Sequence, residues 1–335
     1  MRFIISLFIL FAGFHLRLHS QPDSVFHPDK LKELVSCLAH DSMKGRFTGS
    51  PEILKARDFI ARQFADAGLK SVAGNDGYFM PFNVTVSKKR VTAFNVMGAL
   101  PGKGKKRELV IFSAHYDHVG TLNTNPFPQL KSDMAADDSI YNGANDNASG
   151  IAALITLAKY YSSLNNNERT VLFVAFSAEE LGMQGSKYLA RLIDPGTIKA
   201  VINIEMIGRS NIGGKRPMVT GHSLSDLRQI LNKQLHERDK LRLGKYFFGS
   251  DYYVKQNLFM RSDNLPFAQL GVCAHSIMST TDTDQFYHSR DDEIETFDFK
   301  RMYETVYAIA IACEGITKGG ITPKRIDQRN IRWSK

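Results

Sequence analysis

Leu109-Val110-Ile111-Phe112-Ser113-Ala114-His115-Tyr116-Asp117 is the stretch that decides the fold. Its first six residues carry no charge and are almost wholly apolar, the mark of a strand buried on both faces. Such strands belong to sheets covered by helices on either side. The run closes on a histidine and an acid, so polar chemistry begins where the strand stops. Residues 171–176 and 200–204 repeat the apolar pattern, and they too run into acids, Glu179-Glu180 and Glu205. Further strands are expected over 93–97 and 272–278.

Between these runs the apolar spacing is helical. Helices are expected over 28–37, 52–67 (closed by Gly68), 149–161, 185–193, 224–236 and 299–316, and a solvated turn over 101–107. Buried strands alternating with helices give the α/β class, a three-layer α/β/α sandwich on a mostly parallel, mixed central sheet. Gly143, Gly150, Gly182 and Gly208 fall at the strand-to-helix corners. Residues 1–20 read as a secretory signal: Arg2 precedes an uncharged apolar run over 3–14, and cleavage is expected after Ser20. Residues 21–335 are then expected to form a single domain with a helical amino-terminal segment, exported to periplasm or medium and without a stable membrane anchor.

The composition is that of a globular protein, with 43% apolar and 23% charged residues. Three cysteines, Cys37, Cys273 and Cys313, have no metal-knuckle spacing and allow one disulfide at most. The net charge of +9 is scattered, and its densest cluster, Lys103, Lys105, Lys106 and Arg107, lies in the expected turn. No nucleic-acid partner is expected.

In open α/β sheets, sites form beyond the carboxyl ends of the strands. There the chain places His115 and Asp117, then Asp146 in the string Asn145-Asp146-Asn147-Ala148-Ser149-Gly150, then Glu179-Glu180, Glu205 and, far downstream, Tyr287-His288. Charges at buried strand ends are costly unless they are paired or hold a metal. Imidazole and carboxylate suit zinc, so His115, Asp146, Glu180, Glu205 and His288 are candidate ligands. Asp117 is expected to accept the second imidazole N–H of His115. The Glu179-Glu180 pair lets one carboxylate bind metal while its neighbour stays free to shuttle a proton.

In order and spacing these segments resemble the M28 family of zinc peptidases, over residues 34–316. The resemblance implies two zinc ions with Asp146 bridging: His115, Asp146 and Glu205 on one, and Asp146, Glu180 and His288 on the other. It also implies Glu179 as general base, Asp117 as the orienter of His115 and Tyr287 as an aid to the developing oxyanion. Residues 45–50 resemble the family's approach segment. Two positions depart from the pattern. Glu205 stands where many members have aspartate, and Asn264 where histidine is common. Asp263 beside it reads as a first-turn helix acid, His118 and His275 as loop or core histidines, and His222 as a loop residue. The aromatics of 246–248 and 252–253 read as core, with a pocket lining as the other option. The function implied is removal of N-terminal residues from peptides or proteins. A glutaminyl cyclase-like acyltransferase, a carboxypeptidase or dipeptidase, and a receptor-like binding module are the alternatives.

Overall fold

The computed structural model describes residues 25–72, 77–124, 138–210, 216–243, 247–251 and 253–331. The expected signal over 1–20 lies outside them, as do Tyr246 and Tyr252 of the aromatic stretch. Helices α1 (Pro28–Leu38) and α2 (Pro51–Asp66) come first. The Ser50 side chain accepts the Ile53 N–H at the start of α2, whose first residue is proline, so two of the four orphan donor positions are dealt with. Strands β1 (Lys70–Ser71), β2 (Phe79–Val86), β3 (Lys89–Leu100) and β4 (Lys105–His115) follow, then the short pair β5 (Gly120–Thr121) and β6 (Ile140–Tyr141). The chain continues through α3 (Ser149–Leu164), β7 (Arg169–Phe176), α4 (Gln184–Leu192), β8 (Ile198–Glu205), β9 (Met218–Val219) and α5 (Leu227–Leu243). It ends with α6 (Leu265–Ala268), β10 (Ala274–Met278) and α7 (Phe299–Thr317).

Among the described residues, eight strands make one sheet in the order β1-β3-β7-β4-β8-β10-β9, with β2 also paired to β3. Its centre, β7-β4-β8-β10, is parallel, and β3 and β9 join antiparallel on either side. Side chains alternate across this sheet as the pleat requires. Val110, Phe112 and Ala114 of β4 pack with α1, α2, α3 and α7, while Ile111 faces the opposite cluster containing Leu189 and Phe267. Both faces are therefore covered, and the layer order is α/β/α. The register sets His115 level with Phe176 and Glu205 level with Met278, so the carboxyl ends of the central strands share one rim.

Three local expectations change, and the cysteines fall within theirs. Lys105 to Arg107 are the start of β4, which pairs with β7 at Lys105 and again from Leu109 across an irregular register between them. The strand expected over 93–97 runs from Lys89 to Leu100 as half of a long hairpin with β2. The helix expected over 224–236 lies at Leu227–Leu243. All three cysteines are free thiols. Among the described residues, no helix is long and apolar enough to cross a membrane.

Candidate metal centre

His115 ends β4 with its side chain 2% exposed. Its Nε2 lies 3.2 Å from Asp146 Oδ1 and 3.2 Å from Glu205 Oε1. On the other side of the ring, Nδ1 meets the backbone carbonyl oxygen of Asp117 at 3.1 Å, whereas the Asp117 carboxylate is 3.8 Å away. The orienting contact expected of that carboxylate is thus made by the main chain of the same residue. The carboxylate itself accepts the N–H of Glu179 (3.0 Å) and of Glu180 (3.3 Å) and the hydroxyl of Thr48 (3.1 Å). Asp117 therefore fixes the turn that carries the glutamate pair.

Asp146 is positioned by its neighbours in sequence. Gly143, at φ +56, turns the chain into the segment, and Asp292 accepts the backbone N–H groups of Asn145 and Asp146. The Asn147 amide donates to the Ile204 carbonyl, and its oxygen accepts the N–H of Gly150 and Met206. Asn145 binds Gly208 N–H and the Thr280 hydroxyl. These side chains tie the segment to the end of β8, so Asp146 and Glu205 are held as one unit. Asp146 then points its two oxygens in two directions: Oδ1 toward His115, and Oδ2 3.1 Å from His288 Nε2.

The second group completes around Oδ2. His288 Nε2 is 3.1 Å from Glu180 Oε2, and the ring of Tyr287 stacks on that of His288 at 3.9 Å between centroids. Glu205 Oε2 accepts the Ser262 hydroxyl at 2.8 Å. The residues flanking the acids hold left-handed backbone: Ala178 before Glu179, Met206 after Glu205, and His288 itself. Non-glycine residues adopt that conformation at a cost and cluster at functional sites. Glu179 lies outside both groups and lines the cleft above them. The cleft is also lined by the apolar Met206, Leu258 and Met278, against which Tyr287 packs, and by Arg261 and Asp282.

The electrostatics are dominated by crowded acids. Burial holds Glu179 well above the ordinary glutamate range, and Asp263, Glu180 and Glu205 push the same way. Burial likewise raises Asp117 to about 6 and Asp263 to about 7. For Asp146 burial is outweighed by the hydrogen bonds from His115 and His288, which hold it well below its usual range. Burial opposes charge on His288, yet Glu180 and Asp146 raise it to about 11.

These residues suit a pair of cations. His115, Asp146 and Glu205 bring one ligand atom each close together, and His118, Asp146, Glu180 and His288 do so in a second group. The separations of 3.1–3.2 Å match the edges of a ligand polyhedron with bonds of about 2 Å. The donors are imidazole nitrogen and carboxylate oxygen, the set zinc accepts.

Other residues sit where their sequence gives little sign. His118 is fully buried and reaches Glu180, so it is no ordinary loop histidine. Asp263 is fully buried beside the centre; it cannot serve as a first-turn acid, because the one-turn α6 starts only at Leu265 with Asn264 as its cap. Asn264 has a structural role, bonding Phe259 and Ser276. His275 is a core residue, and His222 accepts the Asp251 N–H in a loop. Arg46, within 45–50, is buried and donates to the carbonyls of Leu38, Tyr116, Asn142 and Gly143, knitting the loops under the centre.

Residues 95–312 match the profile of peptidase family M28. The chain is 24% identical over 246 residues to aminopeptidase YwaD of Bacillus subtilis (strain 168), a match covering 71% of this chain and 48% of that protein. It spans about half the length, or less, of the curated relatives it matches. Among solved structures, the aminopeptidase from Aneurinibacillus sp. strain AM-1 superposes with a TM-score of 0.65 at 16% identity, covering 94% of this chain and 99% of the other. The glutaminyl cyclase of Porphyromonas gingivalis superposes with a TM-score of 0.67 at 15% identity, covering 87% and 99%. At those identities the shared property is the fold.

Proposed function

The chain belongs to peptidase family M28, and from that premise we propose that it is a zinc-dependent aminopeptidase using two metal ions. The observation that carries this reading is Asp146, whose two oxygens face two separate donor sets at 3.2 and 3.1 Å. One set is His115 and Glu205; the other is Glu180 and His288. Bound there, zinc supplies a Lewis acid for the scissile carbonyl and lowers the pKa of a water.

The protein's own groups do the rest. Glu179 takes the proton of the attacking water and returns it to the leaving amine. A raised pKa suits that exchange, because a base works best near the ambient pH. Asp117 holds the Glu179 main chain at 3.0 Å, so the base sits on a fixed turn. Tyr287, pinned by stacking on His288, offers its hydroxyl to the oxyanion. Met206, Leu258 and Met278 give the substrate's first side chain an apolar wall. A free α-amino group finds carboxylates close by, and this favours cleavage at the amino terminus.

The test compares free and N-acetylated aminoacyl arylamides, before chelation, after it, and with zinc restored. Cleavage of only the free-amine substrates, lost on chelation and recovered with zinc, is the expected result. Equal cleavage of the acetylated set would refute the aminopeptidase reading. A peptide with N-terminal glutamine, followed by mass, separates cyclisation, which releases ammonia and consumes no water, from hydrolysis.

A further inference from the structure

We propose that His118 is a positioning residue of the second metal subsite, donating its Nδ1–H to Glu180 Oε1 so that Oε2 is presented toward His288 and Asp146. The inference rests on the two-metal reading above and adds a residue to it.

The ring of His118 is fully buried, and Nδ1 stands 3.0 Å from Glu180 Oε1. That is hydrogen-bond length, while Asp146 Oδ2, at 3.8 Å, is beyond it. An ionised carboxylate only accepts, so the proton of this contact lies on Nδ1. Glu180 Oε2 is the oxygen 3.1 Å from His288 Nε2. The carboxylate is thus divided: one oxygen is tied to His118, and the other is turned to the metal donors. Its main-chain N–H is held in turn by Asp117 at 3.3 Å. Glu180 is fixed at both ends.

The rest of the ring argues that this contact sets its orientation. Nε2 is buried with no hydrogen-bond partner among the described groups, so the ring is not placed to satisfy that atom. The loop approaches closely enough that a Cβ on Gly143 would fall 2.4 Å from His118 Cδ2. Glycine there gives the ring its space. The backbone N–H of His118 donates to the Arg46 carbonyl at 3.3 Å, and Phe47 bridges to the same residue, so the main chain is anchored as well. Partners that orient a metal ligand typically change metal affinity by about 10–100-fold when lost.

The experiment titrates zinc into the metal-free full chain against a competing chelator, and follows the absorption spectrum of the cobalt(II)-loaded protein. His118→Phe keeps the ring volume and removes the donor; His118→Asn shortens the side chain and keeps an N–H. Should His118→Phe fail to fold by circular dichroism, His118→Ala takes its place. Wild type is expected to bind two ions. The variant without a donor should bind one ion as wild type does and the other about 10–100-fold more weakly, with an altered cobalt spectrum. His118→Asn should recover most of the loss. Two ions at wild-type affinity in the donor-less variant would overturn the proposal, as would an Asn variant no better than Phe. A wild type that binds fewer than two ions would overturn the two-metal reading itself, and the wild-type stoichiometry keeps the two failures apart.

Discussion

The two ends of β7 treat buried charge in opposite ways. At its amino end Arg169 is 1% exposed, and each of its three nitrogens meets a fixed partner: Glu108 at 2.7 Å, the Ile316 carbonyl at 2.8 Å, the Ile321 carbonyl and the Thr322 hydroxyl. At its carboxyl end the chain passes into Glu179 and Glu180, where acids crowd together. Asp117, Asp146, Glu179, Glu180, Glu205 and Asp263 face His115, His118 and His288, and the nearby Arg46 is engaged with backbone carbonyls. Among the described residues six carboxylates face three imidazoles, and Arg46, whose charge Asp146, Asp117 and Glu180 favour, offsets only part of that surplus. A buried charge with every bond made serves the fold. A surplus of one sign is kept for something that binds.

The contrast breaks most sharply with Glu179→Gln. Loss of the base should lower kcat by about 10^3-fold, within the usual span for proton transfer by a positioned group. Zinc content should stay at the wild-type level by elemental analysis. The melting temperature should hold or rise, because burial disfavours the charged form of this glutamate and the amide carries no charge. A wild-type rate would remove Glu179 from the mechanism, and lost zinc would make it a ligand.

Arg169→Met asks the converse question at the other end. Glu108 is partly exposed and can turn to water, so the cost comes from the carbonyls left without a donor, about 1–3 kcal/mol each, read as unfolding free energy in a denaturant titration. The kcat of the folded fraction should be unchanged. A fall in kcat at full folding would mean that the two ends are coupled along the strand.

His275 on β10 extends the Arg169 kind to a titratable group. Its Nδ1–H donates to the Thr220 carbonyl at 2.7 Å and its Nε2 accepts the Ser225 hydroxyl at 2.7 Å, so the neutral ring is fully bonded. Burial lowers its pKa to about 4. As pH falls below the unfolded value near 6.5, the unfolded chain takes up a proton that the folded one refuses. Stability should therefore drop between about pH 6.5 and 4, by up to about 3 kcal/mol. His275→Gln should flatten the slope across that window. An equal slope in the variant would assign the acid sensitivity to the carboxylates of the metal centre instead.

What could be read from the sequence follows the same division. β4, β7 and β8 are plain in the chain because burial on both faces removes the polar half of a strand's alternation. The acids and histidines at their ends are plain because nothing about folding asks for them there. The β2–β3 hairpin is harder to see, since Pro81, Asn83 and Thr85 give β2 a half-polar face that reads equally as a loop. His118 is invisible as a site residue for another reason. Its place depends on Gly143 letting the loop approach and on Arg46 gathering carbonyls from Leu38 to Gly143, contacts that span up to 97 positions. Asp263 escapes notice because a short helix start in sequence is a buried corner in space. Local pattern shows which residues are unusual; only the assembled rim shows which of them meet.

Tyr287→Phe gives the smallest effect and the finest cut. In the proposed mechanism the Tyr287 hydroxyl would share oxyanion stabilisation with bound metal, so its loss should lower kcat by about tenfold, less than for a lone oxyanion donor. KM should change little, because the interaction belongs to the transition state. Burial, with Asp146, Glu180 and Glu179 close by, pushes the phenol well above its ordinary range, so it stays a donor through neutral and alkaline pH. The alkaline limb of the kcat profile should therefore survive in Tyr287→Phe at an unchanged midpoint. A limb that disappears with the hydroxyl would mean that Tyr287 ionises in the working range, and the tyrosine would then belong with the proton-transfer groups.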